Sequence, residues 1–488
     1  MTATADTLTP LDASFLYMES DHTPMHMGSI GIFEGGPLHD ARGCLRLEEV
    51  RAEVGSRLHL VPKLRKVVRF PVLGESAPVW VDDPDFDITD HVHQAALPEP
   101  GTDSQLLDVC ARLMSCPLDR TRPLWDIWLI DGLEGGRVAL LEMLHHSMAD
   151  GLAGVELATV LLDLEPRAPA PHAPDGWQPA PAPGRVAVTT EGVARLAGVA
   201  RTLAADGWHA AWHPSEAGHV LARYTSAFRS LLSVSPATPD CSLNAPVGFD
   251  RRVVVVRQPM DELRRAERRF GVTLNDLLLT AIAGGVHDLL SARGEVMEGR
   301  RLQVLVPVGS DHHGDRRLGN DVSAMVVRLP IGAAPAAERL RGVARAERDS
   351  KDHAQSLATH LLLSSLDALP SAALSAASHL VHHQPFVNLV VTNVPGPDVP
   401  LYVLGARMLE VIPLVPLGGN LSVGVAALSY NGQLTIGILT DPVACPDAEA
   451  LAEGVGRCFS DLVAAVPSPA RAHHAARARA SSVPTRRR

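Results

Sequence analysis

The chain has 488 residues, of which 46% are hydrophobic and 4% aromatic, and its formal net charge at pH 7 is −11. A chain of this length can bury more than one large core, so we expect two domains with a joining region. The negative net charge argues against a general nucleic-acid binder, and we expect no nucleic-acid partner.

The expected location is the cytoplasm. The N-terminal segment MTATADTLTPLDASF shows no basic region followed by an apolar core, so we expect no secretory signal. No uninterrupted apolar stretch reaches the ~18–20 residues that a membrane span needs. The six cysteines are dispersed and form no CxxC pair, which fits reduced thiols better than a disulfide framework.

The first predicted domain covers residues 1–165. Its predicted elements are a strand at 27–33, helices at 47–58 and 106–114, strands at 124–130 and 137–144, and a mostly apolar helix at 152–164. The strands at 124–130 and 137–144 are separated by DGLEGG, a strong turn signal, and therefore predict a hairpin.

A proline-rich linker with a helical crossover is predicted for residues 166–240, with helical character over 193–232. The second predicted domain covers residues 241–465, and the arginine-rich tail at 466–488 is expected to be disordered. The predicted elements of the second domain are strands at 253–257, 302–308, 322–329 and 386–393, a hairpin at 421–439 around Asn431-Gly432, and a helix at 274–290 capped by Thr273.

The segment HHSMADG, residues 145–151, follows the second strand of the predicted hairpin. An imidazole has an unperturbed pKa of about 6.5, which suits proton transfer near neutrality. Gly151 allows a tight backbone turn. The pattern predicts a general base at a strand end, braced by the carboxylate of Asp150. The alternative is a surface or internally satisfied histidine pair, since the chain has 22 histidines and other neighbouring pairs.

A metal site is a competing interpretation of the same segment. His146 and Asp150 are four residues apart and could share one face of a helix. The preceding strand pattern breaks such a helix, and no third ligand is evident nearby, whereas zinc sites usually need three or four protein ligands. We therefore expect no metal.

Several short motifs occur in a fixed order around this segment. They are TPLDASF, with Leu11-Asp12; DHTPMHMGS, with Thr23-Pro24-Met25-His26; Pro123-Leu124-Trp125; HHSMADG; Asn275-Asp276; Gly319-Asn320; and NLVVTNVPGP. In this combination the chain resembles the bacterial wax ester synthase/diacylglycerol acyltransferase family, over about residues 8–460. That family belongs to the CoA-dependent acyltransferases with an HHxxxDG motif.

The resemblance implies an α/β (α+β) fold of two chloramphenicol-acetyltransferase-like subdomains, with mixed sheets flanked by helices and the active site at their interface. It also implies an O-acyltransferase that moves a long-chain fatty acyl group from acyl-CoA to diacylglycerol, to a long-chain alcohol, or to both. Acyl-CoA is a substrate, and no cofactor is implied. Two alternatives stay open: a condensation enzyme with a carrier-bound acyl donor, and a non-catalytic lipid-binding protein.

The resemblance also implies roles for the residues of the HHxxxDG motif. His146 is the general base, and its imidazolium then protonates the leaving thiolate, so Ser147 needs no covalent role. His145 points away from His146 on a strand and orients the loop or its neighbour. Asp150 holds the loop, with direct proton relay as the alternative, and Gly151 permits the turn and leaves space for substrate.

Five further residues are predicted site residues. Asn275 would donate to the thioester oxygen, with satisfaction of helix-end backbone groups as the alternative. Asp276 would contact substrate, and helix capping is again the alternative. The residues Pro123, Leu124 and Trp125 would line the acyl or acceptor channel, and ordinary strand packing is the alternative.

Two basic features are candidates for contact with a membrane or with CoA phosphates. One is the segment with Lys63, Arg65, Lys66 and Arg69, and the other is the C-terminal tail. The alternative for each is a solvated charged surface. Since the lipids of this family partition into membranes, we expect peripheral association with the inner face of the membrane or with lipid bodies.

Overall fold

The structure, a computed structural model, describes residues 6–70, 78–149, 151–167, 177–181, 238, 241–295, 298–309, 322–354 and 384–466. The helices are α1 Pro10–Met18, α2 Leu47–Arg57, α3 Asp103–Met114, α4 Gly151–Leu161, α5 Met260–Phe270, α6 Leu274–Ala292, α7 Ala336–Ala354 and α8 Ala448–Ala464. The strands are β1 Asp6–Thr7, β2 His26–Glu34, β3 Lys66–Arg69, β4 Val79–Asp82, β5 Val92–Ala96, β6 Trp125–Leu133, β7 Arg137–His145, β8 Arg252–Pro259, β9 Arg301–Gly309, β10 Val322–Pro330, β11 Leu389–Pro395, β12 Tyr402–Val403, β13 Ala406–Leu414, β14 Val423–Tyr430 and β15 Gln433–Thr440.

The first large sheet contains the predicted hairpin. Its strand order is β12-β13-β2-β7-β6-β5, and β6 and β7 pair antiparallel around a tight turn. Gly135 and Gly136 adopt φ angles of 77° and 64° in that turn, a left-handed conformation that favours glycine. The hairpin prediction is confirmed, and β7 lies in the centre of the sheet.

Two strands of the first sheet, β12 and β13, come from the second half of the chain. β13 pairs antiparallel with β2, and Ile412 lies opposite Ile30. The predicted boundaries at 165 and 241 did not include this exchange, and they stay predictions. Because β13 completes the sheet that carries β7, the two halves of the chain share one hydrogen-bonded framework.

The second large sheet is mixed, with the order β10-β9-β11-β14-β15-β8. The β14–β15 hairpin is confirmed, with Asn431 and Gly432 at φ angles of 44° and 83°. α6 begins with the predicted cap: the Thr273 hydroxyl accepts from the backbone N–H of Asp276, and the Asp276 side chain accepts in return.

The strand predicted at 386–393 is shifted toward the C-terminus. β11 begins at Leu389 and continues through Pro395, two residues beyond the predicted end at 393. Strand pairing explains this shift. β11 bonds to β9 only at its first two residues, whereas its pairing with β14 continues as far as Pro395. A proline, which lacks an N–H, is tolerated where one side of the strand has no partner.

The two sheets bury separate apolar cores. The first core lies around β2, β6, β7 and β13, and the second lies between the second sheet and helices α5–α8. Within the described ranges, no single helix is long and apolar enough to cross a membrane; α5 and α6 pass that test only as a pair bent by 100°. The predicted helix at 193–232, the Gly319-Asn320 motif and the C-terminal tail lie outside the described residues.

A buried arginine on α2 holds the end of α4, next to the point where the chain pairs with β12. The Arg57 side chain is 4% exposed; it pairs with Glu53 and Asp163 and donates to the backbone carbonyl of Leu161. Asp163 also exchanges two backbone hydrogen bonds with Tyr402. The end of α4 is therefore held from both halves of the chain.

Replacement of this arginine is expected to destabilise the protein. Arg57→Ala leaves two carboxylates without their buried cation, so we expect the free energy of unfolding to fall by about 3 kcal/mol. The measurement is chemical unfolding followed by circular dichroism. Arg265→Ala, which removes an exposed pair with Asp261, is the matched control and is expected to change stability by less than about 0.5 kcal/mol. Equal effects of the two substitutions on the free energy of unfolding would show that the buried Arg57 pairs do not stabilise the fold.

Candidate active site

The histidine pair lies where β7 leaves the sheet. His145 is opposite His26 of β2, and its backbone N–H donates to the carbonyl of Leu124. The next residue stays in register, because the N–H of His146 donates to the carbonyl of Met25 at 2.8 Å. Both backbones are thus fixed by neighbouring strands, and the two side chains alternate across the sheet.

His145 is completely buried, with one ring nitrogen hydrogen-bonded and the other facing a carboxylate. Its Nδ1 accepts from the backbone N–H of Ser147 at 3.0 Å, and the Ser147 hydroxyl lies 2.7 Å away. An accepting Nδ1 places the ring proton on Nε2, which lies 3.5 Å from a carboxylate oxygen of Glu19. His145 is therefore a structural bridge between α1 and the loop after β7, and its orienting role stays a prediction.

Glu19 is the charged centre of this bridge. Burial by itself would raise its pKa, but the polar contact with His145, the charge of Arg120 and the N–H of Met25 outweigh it and lower the pKa to about 2. Arg120 donates two hydrogen bonds to the same carboxylate, at 2.7 and 2.9 Å. Glu19 is thus an ionised, nearly inaccessible carboxylate that holds the histidine segment and the strand beside it.

Ser147, His145 and Glu19 have the residue types of a nucleophilic triad. The position of the serine argues against that chemistry. Ser147 and His145 have no exposed surface, and the serine N–H and hydroxyl both lie within bonding distance of the same imidazole nitrogen. A nucleophile must reach the substrate carbonyl, so this arrangement stabilises a turn and does not attack.

His146 has a different environment. Its ring stacks on Phe15 of α1, with the ring centroids 4.1 Å apart and the planes inclined by 10°. The residue keeps part of its surface accessible, unlike His145. An imidazole that is fixed in orientation and open to a reactant meets the geometric requirement for a general base.

A lysine holds the loop that follows the histidines. Lys63 donates to the backbone carbonyls of Met148 at 2.9 Å and Ser147 at 3.4 Å, and its ammonium lies 5.0 Å from the Trp80 ring centroid. Burial lowers the pKa of Lys63, and the charge of Asp12 partly offsets this effect. This lysine of the predicted basic segment therefore supports the loop from inside.

The helix end of the motif meets the second sheet. A Cβ atom on Gly151 would lie 3.2 Å from the Val394 side chain of β11, so only a very small residue fits without displacement. Val394 belongs to the NVPGP motif, and the contact brings two distant motifs together. Asp150 lies outside the described residues, so its bracing role stays a prediction.

The Asn275-Asp276 pair forms the start of α6. Asp276 Oδ2 accepts from the Thr273 backbone N–H at 2.8 Å and from its hydroxyl at 2.9 Å, which is the capping alternative. Asn275 is half-buried, and the described part of the chain shows no hydrogen bond from its side chain to the histidine loop. Their substrate roles stay predictions.

The Pro123-Leu124-Trp125 segment is buried where β6 begins. Leu124 and Trp125 belong to the first core, and the Trp125 indole donates to the Leu64 carbonyl at 2.8 Å. The Leu124 carbonyl also accepts from His145, so the motif fixes the position of the histidine pair. These contacts are those of strand packing, and the predicted channel lining stays a prediction.

Some important neighbours of the histidine pair are not evident from the sequence. Glu19 and Arg120 are 101 residues apart, and Phe15 lies 131 residues before His146. His26, noted only as part of a motif, is buried beside His145, and this burial lowers its pKa to about 4. The only signal for Glu19 is an acidic residue at the end of an apolar helix, which does not identify its partner.

Among the described residues, no group of three or more His, Cys, Asp or Glu side chains is arranged to hold a metal ion. This finding covers neither Asp150 nor the other residues outside the described ranges. The expectation of a metal-free site stays a prediction.

Family models and a curated relative point to the same protein family. The wax ester synthase/diacylglycerol acyltransferase catalytic domain matches residues 8–278, and the C-terminal domain of the same family matches residues 318–462. A Mycobacterium tuberculosis protein named probable diacylglycerol O-acyltransferase is 34% identical over 471 residues, which is 94% of this chain and 96% of that protein.

Two solved structures share the fold. The wax ester synthase/diacylglycerol acyltransferase of Marinobacter aquaeolei superimposes with a TM-score of 0.65 at 22% identity, covering 94% of this chain and 98% of that one. The first condensation domain of the calcium-dependent antibiotic synthetase gives 0.58 at 16% identity, covering 96% and 98%. The predicted α/β class with mixed sheets flanked by helices is confirmed.

Neutralisation of Glu19 is expected to remove a pH-dependent part of the stability. A carboxylate whose folded-state pKa is lowered stabilises the fold above its unfolded value of 4.5, and this contribution is lost as pH falls toward about 2. By linkage the contribution is about 3 kcal/mol at neutral pH. The free energy of unfolding of wild type and Glu19→Gln, measured from pH 7 to pH 2, should therefore converge at low pH.

Glu48→Gln is the matched control, because Glu48 is 78% exposed, and it should follow the wild-type curve. A difference between wild type and Glu19→Gln that stays constant from pH 7 to pH 2 would show that the carboxylate charge is not the source of the stability.

Proposed function

Because this chain belongs to the wax ester synthase/diacylglycerol acyltransferase family and is an acyltransferase, we propose that it moves a long-chain fatty acyl group from acyl-CoA to a hydroxyl acceptor. The acceptor is diacylglycerol, a long-chain alcohol, or both. Acyl-CoA is a substrate and no cofactor takes part.

His146 is the proposed general base. The acceptor hydroxyl attacks the thioester carbonyl while the imidazole takes the hydroxyl proton, and a tetrahedral intermediate with a negatively charged oxygen forms. When this intermediate collapses, the C–S bond breaks and the imidazolium returns the proton to the leaving CoA thiolate. Positioned acid–base catalysis of this kind contributes roughly 10²–10⁴ in rate.

The observation that carries the proposal is the fixed orientation of the His146 ring. The Phe15 ring stacks on one face of the imidazole, and the hydrogen bond to Met25 fixes the backbone. Preorganisation of this kind reduces the entropy lost when the acceptor binds. Burial and pairing of Ser147 support direct transfer without an acyl-enzyme.

Negative charge on the thioester oxygen needs a hydrogen-bond donor. Asn275 is the proposed donor, because a neutral amide can donate without taking the proton that the base must accept. Loss of one such donor costs about 10²–10³ in rate. Asp276 serves this role indirectly, since its capping bonds to Thr273 fix the first turn of α6, on which Asn275 lies.

Substrates that partition into lipid favour an enzyme that acts at a membrane or lipid-body surface. We propose peripheral association with a membrane or lipid-body surface from the cytoplasmic side. Exposed apolar side chains near the basic segment support this proposal, because Leu60 and Phe70 are 52% and 42% exposed. Arg69 beside Phe70 is exposed as well, and its positive charge would be attracted to anionic lipid headgroups.

Replacement of His146 is expected to abolish ester formation. With palmitoyl-CoA and either hexadecanol or dioleoylglycerol, the rate of His146→Ala should fall by about 10²–10⁴, because the hydroxyl proton loses its acceptor. Labelled products separated by lipid chromatography give the measurement. His59→Ala, at a half-buried histidine bonded to Ser56, is the matched control and should keep wild-type activity.

Full activity of His146→Ala would exclude it as the base. Turnover with an acyl carrier protein but none with acyl-CoA would favour the condensation alternative. Lipid binding without turnover on any acceptor would favour a lipid-binding protein.

Replacement of Asn275 separates the two interpretations of that residue. If Asn275 is the donor, Asn275→Ala should lower kcat by about 10² and leave KM and the melting temperature close to wild type. If the residue only stabilises the helix start, the melting temperature should fall while kcat of the folded protein is unchanged. Steady-state kinetics and thermal melting of the same preparations distinguish these outcomes.

A further inference from the structure

A glutamate occupies the middle of β7, on the His146 side of the sheet. Side chains of a strand alternate, so Glu142, Leu144 and His146 share one face. His146 keeps this register because it lies opposite Met25 as an extension of the β2–β7 pairing. At ~3.3 Å per residue, Glu142 lies about 13 Å from the proposed base along the strand.

Several residues in the centre of this face keep accessible surface. Met27, Ser29, Leu140 and Glu142 retain accessible surface, although β2 and β7 are internal strands. The neighbours on both sides are buried: Ile127 and Leu129 on β6, and Pro413 on β13. Accessible surface that is flanked by these buried side chains points to a space over this face.

Helix α4 lies over the same face. A Cβ atom on Gly154 would be 3.5 Å from the Met27 sulfur, so the helix that follows the HHxxxDG motif covers the end of the space nearest to His146. A chain bound at His146 and following this face would pass beneath α4 toward Glu142.

Glu142 and Ser29 form a polar pair in an otherwise apolar wall. The Ser29 hydroxyl donates to a carboxylate oxygen of Glu142 at 3.4 Å, whereas the flanking residues Met27, Leu140 and Leu144 are apolar. Burial raises the pKa of Glu142 to about 7, although the Ser29 hydrogen bond acts in the opposite direction. A carboxyl group in either protonation state can bond to a hydroxyl, so the pair retains binding capacity near neutrality.

We propose that Glu142, together with Ser29, is a specificity-determining site that binds an oxygen substituent on a lipid chain about ten carbons from the reacting group. This inference rests on the proposed function. The ligand chemistry is a hydroxyl or keto group within a fatty chain, carried by either the acyl donor or the alcohol acceptor. A plain chain passing the same point leaves this polar pair without a lipid partner.

The test compares matched substrates with the full-length protein. For the acyl donor, 10-hydroxystearoyl-CoA is compared with stearoyl-CoA, using hexadecanol as the acceptor. For the acceptor, 1,10-decanediol is compared with 1-decanol, using palmitoyl-CoA. We expect kcat/KM to favour the oxygenated chain by about tenfold in one of the two arms, as one net hydrogen bond provides. The arm that responds identifies which substrate follows this face.

The variants attribute the preference to the side chain. Glu142→Leu should reduce the ratio to about one, while Glu142→Gln, which keeps a donor and an acceptor, should retain most of it. Met143→Leu is the matched control, because its side chain lies on the opposite face and the volume is conserved. Ser29→Ala should lower the ratio partially.

Two results would overturn the inference: a wild-type ratio of about one in both arms, or an unchanged ratio in Glu142→Leu. The wild-type ratio decides the matter even if Glu142→Leu does not fold. Absence of turnover with every acyl-CoA and acceptor would instead contradict the proposed function, so the two failures are distinguishable.

Discussion

A single desolvated carboxylate organises the region around the histidine pair. Glu19 loses hydration on burial, and this cost is offset only if cations and N–H groups surround it closely. Arg120, His145 and the N–H of Met25 supply these contacts from three separate segments. Because each of them must be in place, the carboxylate fixes the end of α1, the start of β2 and the end of β7 relative to one another.

The two histidines consequently have opposite environments. Strand alternation directs His145 into the buried network, where Nδ1 is hydrogen-bonded and Nε2 faces Glu19, and leaves His146 on the face with accessible surface. The first imidazole connects the buried Glu19 carboxylate to the loop after β7, and the second is the proposed general base. The exchange of β13 into the first sheet and the contact of Gly151 with Val394 then join this region to the second half of the chain.

Local patterns were sufficient for much of the fold. Two hairpins followed from DGLEGG and Asn431-Gly432, and the cap of α6 followed from Thr273 and Asp276, because turns and caps depend on neighbouring residues. The β13–β2 pairing, by contrast, joins strands about 380 residues apart, and β13 has no local signal for its partner. The limits of β11 likewise depended on which neighbour bonded each side.

The sequence by itself determined the family, the position of the histidine pair at a strand end and the alternation that separates His145 from His146. These properties depend on short motifs and on the period of a strand. Tertiary structure decided what surrounds each imidazole: Glu19 and Arg120 on one side, Phe15 on the other, and the Glu142–Ser29 pair farther along the same face. Electrostatic and packing partners are set by contacts between distant segments, and a single sequence contains no local record of them.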